Sequence, residues 1–157
     1  MAVRINVSRR DCLEDAYFLN LFGNCAVVHS TSNLYIYRRA NLGMVKAPYG
    51  VYSSNIFVYR TQSHRLAKTP FEVDFITFPS VSQNIRSIFE SIWYFVNQHP
   101  EITSLVFVPN GYGVDTNDIA ECLNYFLKSY KFGNVGNIII SCYITRDYDI
   151  FKSTFHS

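Results

Sequence analysis

From Phe71 to Ile144 the chain alternates short apolar runs with amphipathic stretches, and that order restricts the fold more than any other feature. Phe71 to Phe78 is rich in β-formers and is predicted to be a strand ended by Pro79. Ile85, Ile88, Phe89, Ile92, Trp93 and Val96 recur at three- and four-residue steps. That spacing predicts a helix from Gln83 to His99, capped by Ser80 or Ser82 and followed by Pro100. Leu105 to Val108 is an uninterrupted apolar run of the kind covered on both faces of a sheet. Ile119, Cys122, Leu123, Phe126, Leu127 and Tyr130 mark a second helix. Gly133 and Gly136 frame the turn into a further buried strand, Ile138 to Ile144. Strand, helix, strand, helix, strand argues for an α/β sheet with right-handed crossovers, where ligands sit beyond the carboxyl ends of strands.

The first half is less regular. Val3 to Val7 alternates as a short strand does, and Asp11 is a plausible N-cap for a helix over Cys12 to Phe22, stopped by Gly23. Cys25 to His29 reads as a strand, and Leu34 to Tyr37 fits strand or helix equally. Ala40 to Gly50 carries Gly43, Pro48 and Gly50 and reads as a loop. Asn55 to Arg60 reads as a strand, Thr61 to Pro70 as an exposed polar connection, and Thr145 to Ser157 as a last short helical piece. With 157 residues, one domain over 1–157 is expected, large enough for a substantial core.

Composition excludes several classes. Hydrophobic residues make up 48% and charged residues 17%, which argues against disorder. The formal net charge is +2, with basic residues scattered, so nucleic-acid binding is not expected, whereas a small anionic ligand suits the balance. Cys12, Cys25, Cys122 and Cys142 have no Cys-x-x-Cys spacing and read as thiols in a reducing compartment, with Cys122 in a helix and Cys142 in a strand. His29, His64, His99 and His156 are too dispersed to suggest zinc, and no metal or cofactor is expected. No apolar run is long enough for a membrane span, and Met1 to Arg4 does not open a signal peptide, so a cytoplasmic or nuclear location is expected. The 12 Tyr and 13 Phe fit a thick core or an adhesive surface.

The segment Leu105-Val106-Phe107-Val108-Pro109-Asn110-Gly111-Tyr112-Gly113-Val114-Asp115-Thr116-Asn117-Asp118 is the strongest functional signal. A strand enters a Gly-x-Gly loop that runs into a helix, where backbone N–H groups and the helix dipole favour an anion. It is not a dinucleotide fingerprint, since Thr116 stands where a third glycine would, nor a P-loop, since no Gly-Lys-Ser/Thr follows. Without further context it reads equally as an ordinary βα turn capped by Thr116 or Asp115.

Three segments together resemble the macrodomain superfamily, most closely the microbial type of poly(ADP-ribose) glycohydrolase. Gly111, Gly113, Val114, Asn117 and Asp118 match its Gly-x-Gly-Val phosphate loop and the Asn-Asp at the helix start. Tyr52 to Arg60 is similar to its "YSP-x-V-x-VFR" strand, and Phe71 to Pro79 to its "VDVIT-x-PA" strand. The likeness spans roughly Leu34 to Ile144. It implies a three-layer α/β domain with a mixed sheet flanked by helices, shortened or rewritten on its N-terminal side before residue 30. It further implies ADP-ribose as ligand, its diphosphate wrapped by the backbone of Asn110, Gly111, Tyr112, Gly113 and Val114. Asn117 stands at the helix start, and Pro79, Ser80 and Val81 line the same cleft. Tyr112 covers the ligand or faces solvent.

The catalytic half of that family is missing. There is no Gly-Gly-Gly, and if Ser32-Asn33-Leu34-Tyr35 matches the family's "S-x-LY", the paired glutamates fall on Cys25 and Ala26. Asp118 reads as a first-turn acid, Asp115 as a cap, Glu14 and Asp15 as a solvated helix face, and His29 as structural. No catalytic residue can be named. Three functions remain open: a non-catalytic binder of ADP-ribose or a related nucleotide diphosphate, an ADP-ribosyl glycohydrolase with relocated acids, and a ligand-free interaction or structural protein, such as a virus uses. The last would involve a protein partner or self-association.

Overall fold

A computed structural model describes residues 3–30, 36, 38, 40, 50–53, 56–63, 71–78, 84–109 and 115–155. Along the chain these form β1 (Arg4–Ser8), α1 (Cys12–Asn20), β2 (Asn24–Ser30), β3 (Gly50–Ser53), β4 (Ile56–Ser63), β5 (Phe71–Phe78), α2 (Ile85–Gln98), β6 (Ile102–Phe107), α3 (Thr116–Ser129), β7 (Asn137–Ser141) and α4 (Thr145–Thr154). The strands make one sheet in the order β1-β7-β6-β2-β5-β4-β3. From β1 to β5 all neighbours are parallel, while β4 and β3 join antiparallel. The expected mixed α/β architecture is the one found.

Strand alternation sorts the core into two layers. Val28, Ile76, Phe78, Leu105, Phe107, Ile138 and Ile140 face α2 and α3, where Ile88, Phe89, Ile92, Leu123 and Phe126 complete one buried cluster. Phe89 sits between Phe107 and Phe126, with ring centroids 5.9 and 5.8 Å away. Each such buried ring contributes about 2–3 kcal/mol through removal from water. Cys25, Val27, Val73, Phe75, Val106, Val108 and Ile139 face the other way, against Leu13, Ala16 and Leu19 of α1. Helix, sheet and helix give the three layers.

Several boundaries differ from the sequence reading. The cap of α2 is Asn84, whose Oδ1 accepts from Arg86 N at 3.0 Å, rather than Ser80 or Ser82. Thr61, Gln62 and Ser63 continue β4 and pair with Val73, Glu72 and Phe71, so the polar connection begins later than expected. α1 ends at Asn20, short of Phe22, and β7 ends at Ser141, so Cys142 follows the strand, its N–H donating to Ser8 O at 2.9 Å. Asp15 is no part of a solvated face: it is 1% exposed. Most of the ambiguous Leu34–Tyr37 segment and of the Ala40–Gly50 loop lies outside the described residues, though Ile36 is helical and buried.

Candidate functional site

The sheet order decides where a ligand can sit. β2 lies between β5 and β6, all three parallel, so the carboxyl ends of β5 and β6 flank that of β2. In an open α/β sheet this is the position where ligands bind. Val108 N donates to Val28 O at 3.0 Å, prolonging the β6–β2 ladder, and Pro109 is buried. The glycine segment therefore departs from a point held against the centre of the sheet. Asn110, Gly111, Tyr112, Gly113 and Val114 themselves, with Pro79 and Ser80, lie outside the described residues.

On the far side of that segment Asp115 caps α3. Its carboxylate accepts from Asn117 N at 2.8 Å and from Asn117 Nδ2 at 3.0 Å. Its carbonyl accepts from Asp118 N at 3.0 Å and Ile119 N at 3.1 Å. The first-turn amides of residues 117–119 are thus already bonded within the helix start, and both donors of Asn117 so described point to Asp115. An anion at this corner would have to be held mainly by amides preceding residue 115. The Asn117 N–H, then the Asn117 amide, hold the Asp115 carboxyl below its usual range. The resulting negative charge is countered by Arg146, whose Nη2 lies 3.6 Å from Asp115 Oδ2.

The neighbouring carboxyl ends carry cations and a polar lattice that the sequence did not announce. Thr116 Oγ1 donates to Asp147 Oδ1 at 2.9 Å, joining the starts of α3 and α4. Arg9, just beyond β1, donates through Nη1 to Thr145 Oγ1 and through Nη2 to Tyr143 O at 3.1 Å. Asp15 lies beneath, accepting from Ser8 Oγ at 2.6 Å, Ser141 Oγ at 2.5 Å and Arg10 Nε at 2.9 Å. Arg10 and Arg146 are each balanced by a carboxylate, Asp15 and Asp115, whereas Arg9 is bonded here to neutral oxygens.

The candidate acids and their neighbours stand in separate places. Cys25 and Ala26, the positions matched to the paired glutamates, are buried inside β2 with alternate facings and stand below its carboxyl end. Burial pushes the Cys25 thiol up to about 12, with Ser104 beside it acting in the opposite sense. Asp15 is consumed by its three donors, while Glu14 and Asp118 are exposed. His29 is fully buried, and burial lowers it to about 4, so it is neutral. Its Nε2 is 2.9 Å from Thr77 Oγ1 and its Nδ1 is 3.1 Å from Ser30 O. Among the described residues no three His, Cys, Asp or Glu side chains gather into a metal-binding group.

Between α2 and α3 runs an open groove of about 380 Å³ that begins at their first turns with Arg86 and Asp118. Arg86 lies over the Tyr125 ring at 5.0 Å and donates from Nη2 to Tyr125 OH at 3.3 Å.

No protein-family model matches the sequence, and no curated protein matches it significantly. Solved structures do match. Poly(ADP-ribose) glycohydrolase from Thermomonospora curvata is similar with a TM-score of 0.66 at 15% identity, over 99% of this chain and 77% of that one. The Deinococcus radiodurans poly(ADP-ribose) glycohydrolase in complex with ADP-ribose reaches 0.69 at 11% identity, over 98% and 84%. A Trypanosoma brucei macrodomain in complex with ADP gives 0.63 at 12% identity, over 98% and 68%. Superposition at these scores over nearly the whole chain means that this chain has a macrodomain-like fold of the poly(ADP-ribose) glycohydrolase kind.

Proposed function

We propose that this protein binds ADP-ribose, or a related nucleotide diphosphate, without hydrolysing it. The observation that carries the reading is topological. β5 and β6 end on either side of the carboxyl end of β2, and residues 79–83 and 110–114 follow them in sequence. Solved structures of the same fold are complexes with ADP-ribose and with ADP. Backbone amides of Asn110, Gly111, Tyr112, Gly113 and Val114 would hold the diphosphate, with Pro79 and Ser80 opposite and Asn117 stabilising the turn through Asp115. Two glycines permit close approach of the main chain, and amide donors to charged oxygens are strong. Arg9, bonded to neutral oxygens, adds favourable potential.

Absence of hydrolysis rests on the acids. Cleavage of a glycosidic bond needs a positioned acid or base. Asp15 is enclosed, Asp115 is a helix cap, and the positions matched to the paired glutamates hold Cys25 and Ala26 within a strand.

Calorimetric titration with ADP-ribose tests binding. One-to-one saturation that is lost in Gly113→Val is expected, with no ADP-ribose released from a poly(ADP-ribosyl)ated protein. No heat up to about 1 mM ligand, a limit of roughly −4 kcal/mol, removes the binding reading. Release that is lost in Asp115→Ala establishes a glycohydrolase instead. A ligand-free interaction protein is the second reading, favoured by Phe18, Leu21 and Phe22 standing exposed together. Self-association that survives Gly113→Val would support it.

A further inference from the structure

The amino ends of the parallel strands, opposite the edge just described, carry a pocket of about 470 Å³ at the end of α1. Its apolar wall is Phe18, Leu19 and Phe22; Ser104 of β6 and Asn137 of β7 stand across from them, and Arg4 of β1 completes the rim. The volume lies in the range of small-molecule sites. Phe18 and Phe22 are 51% and 76% exposed, with ring centroids 5.5 Å apart, an unusual expense of apolar surface for a helix end.

The charge around it has one sign. A second depression of about 600 Å³ shares Arg4 and Asn137 with the first and adds Lys131. Arg4 and Lys131 are the only ionisable residues lining either, and neither forms an ion pair among the described residues. The pocket thus joins an aromatic wall and a planar cation.

We propose that this pocket binds a small amphiphilic carboxylate, its apolar body against Phe18, Leu19 and Phe22 and its carboxylate at Arg4. A guanidinium offers a carboxylate two parallel donors, and the aromatic pair covers an alkyl or aryl body from water. Lys131 adds attraction at the rim. The site is separate from the nucleotide edge, so it stands whether or not ADP-ribose binds.

Decanoate, decanol and decylamine, each below its aggregation limit, test the assignment by NMR titration of the full chain. Decanoate is expected to bind at least about tenfold more tightly than decanol, a difference of roughly 1.4 kcal/mol, and decylamine most weakly. Arg4→Gln should reduce decanoate to the level of decanol, and Phe22→Ser should weaken both. Lys152→Gln, a cation of α4, should change neither. Equal affinity for decanol and decanoate overturns the proposal, as does decanoate binding indifferent to both pocket variants, or no binding. A dimer in sedimentation that dissolves in Phe22→Ser, with no decanoate bound, overturns it too and assigns the face to a second copy.

Discussion

His29 and Thr77 stand opposite each other across the β2–β5 pair, with Nε2 2.9 Å from Oγ1. The Ser30 carbonyl can only accept, so Nδ1 carries the ring proton and Nε2 accepts from the Thr77 hydroxyl. A second ring proton would place a positive charge inside a layer closed by the Phe75 ring, whose centroid is 5.8 Å away. Burial accordingly lowers His29 from 6.5 to about 4. Between those values the unfolded chain takes up a proton that the folded chain refuses. Stability is therefore whole above about pH 6.5 and falls as pH drops toward 4, by about 3 kcal/mol from this group. Urea unfolding from pH 7 to pH 4 measures it. His29→Gln should be less stable at pH 7 yet lose this part of the slope; an unchanged slope would refute the assignment.

Gly133 has φ +54°, and a Cβ built there would stand 2.7 Å from Val96 O at the end of α2. Gly133→Ala therefore meets both the left-handed backbone penalty and a clash with a main-chain atom, and should cost about 2 kcal/mol or more. Gly136 has nothing within 4 Å of the same construction. Gly136→Ala should stay within about 0.5 kcal/mol. The two midpoints in urea decide the matter, and equal losses would show that the turn yields at both positions.

The parts of the fold legible in the sequence are those encoded by neighbours. The stripe of α2 reads clearly because Ile88, Phe89, Ile92 and Val96 all enter one cluster, and Asp11 and Asp115 read as caps because their partners lie two residues on. Strand order was not legible. β2 pairs with β5 and β6, both remote in sequence, and hydrophobic runs buried on two faces carry no mark of which runs are adjacent. Thr61 to Ser63 was missed because a polar run beside the antiparallel end of the sheet looks like a connection. There Arg60 bridges Asp74, with Nε 2.7 Å from Oδ1. Of the candidate site, the flanking frame was legible: strand, departing segment, cap. The cations of the edge were not, because Arg9 and Arg146 converge only through the meeting of the β1 and β7 ends.

Thiol chemistry should report the layers directly. Cys25 and Cys142 are buried, and burial pushes each up to about 12, while Cys12, the first residue of α1, is fully buried. Cys122 alone is partly accessible, on the α2–α3 groove, although burial raises it as well. Iodoacetamide at pH 8 should modify Cys122 slowly and the other three only after unfolding. Mass mapping of the native protein that finds Cys25 labelled first would contradict the packing of β2.

Asp15 is the most consequential residue outside the apolar core. As one of two adjacent acids in the first turn of a helix it looks solvated, yet here it joins separate pieces of chain. Ser8 ends β1, Ser141 ends β7, and both hydroxyls donate to Oδ2, while Arg10 donates to Oδ1. Asp15→Ala strands two buried hydroxyls and unties α1 from the edge of the sheet, so a loss of about 3 kcal/mol is expected. Arg10 is 64% exposed and its pair is screened, so Arg10→Ala should cost well under 1 kcal/mol. Glu14→Ala, on the exposed side of the same turn, should be close to neutral. Urea denaturation of the three variants separates these contributions. Should Asp15→Ala prove no worse than Glu14→Ala, the carboxylate would not hold the β1 and β7 ends together, and the placement of Arg9 and Arg10 at the carboxyl edge of the sheet would lose its support.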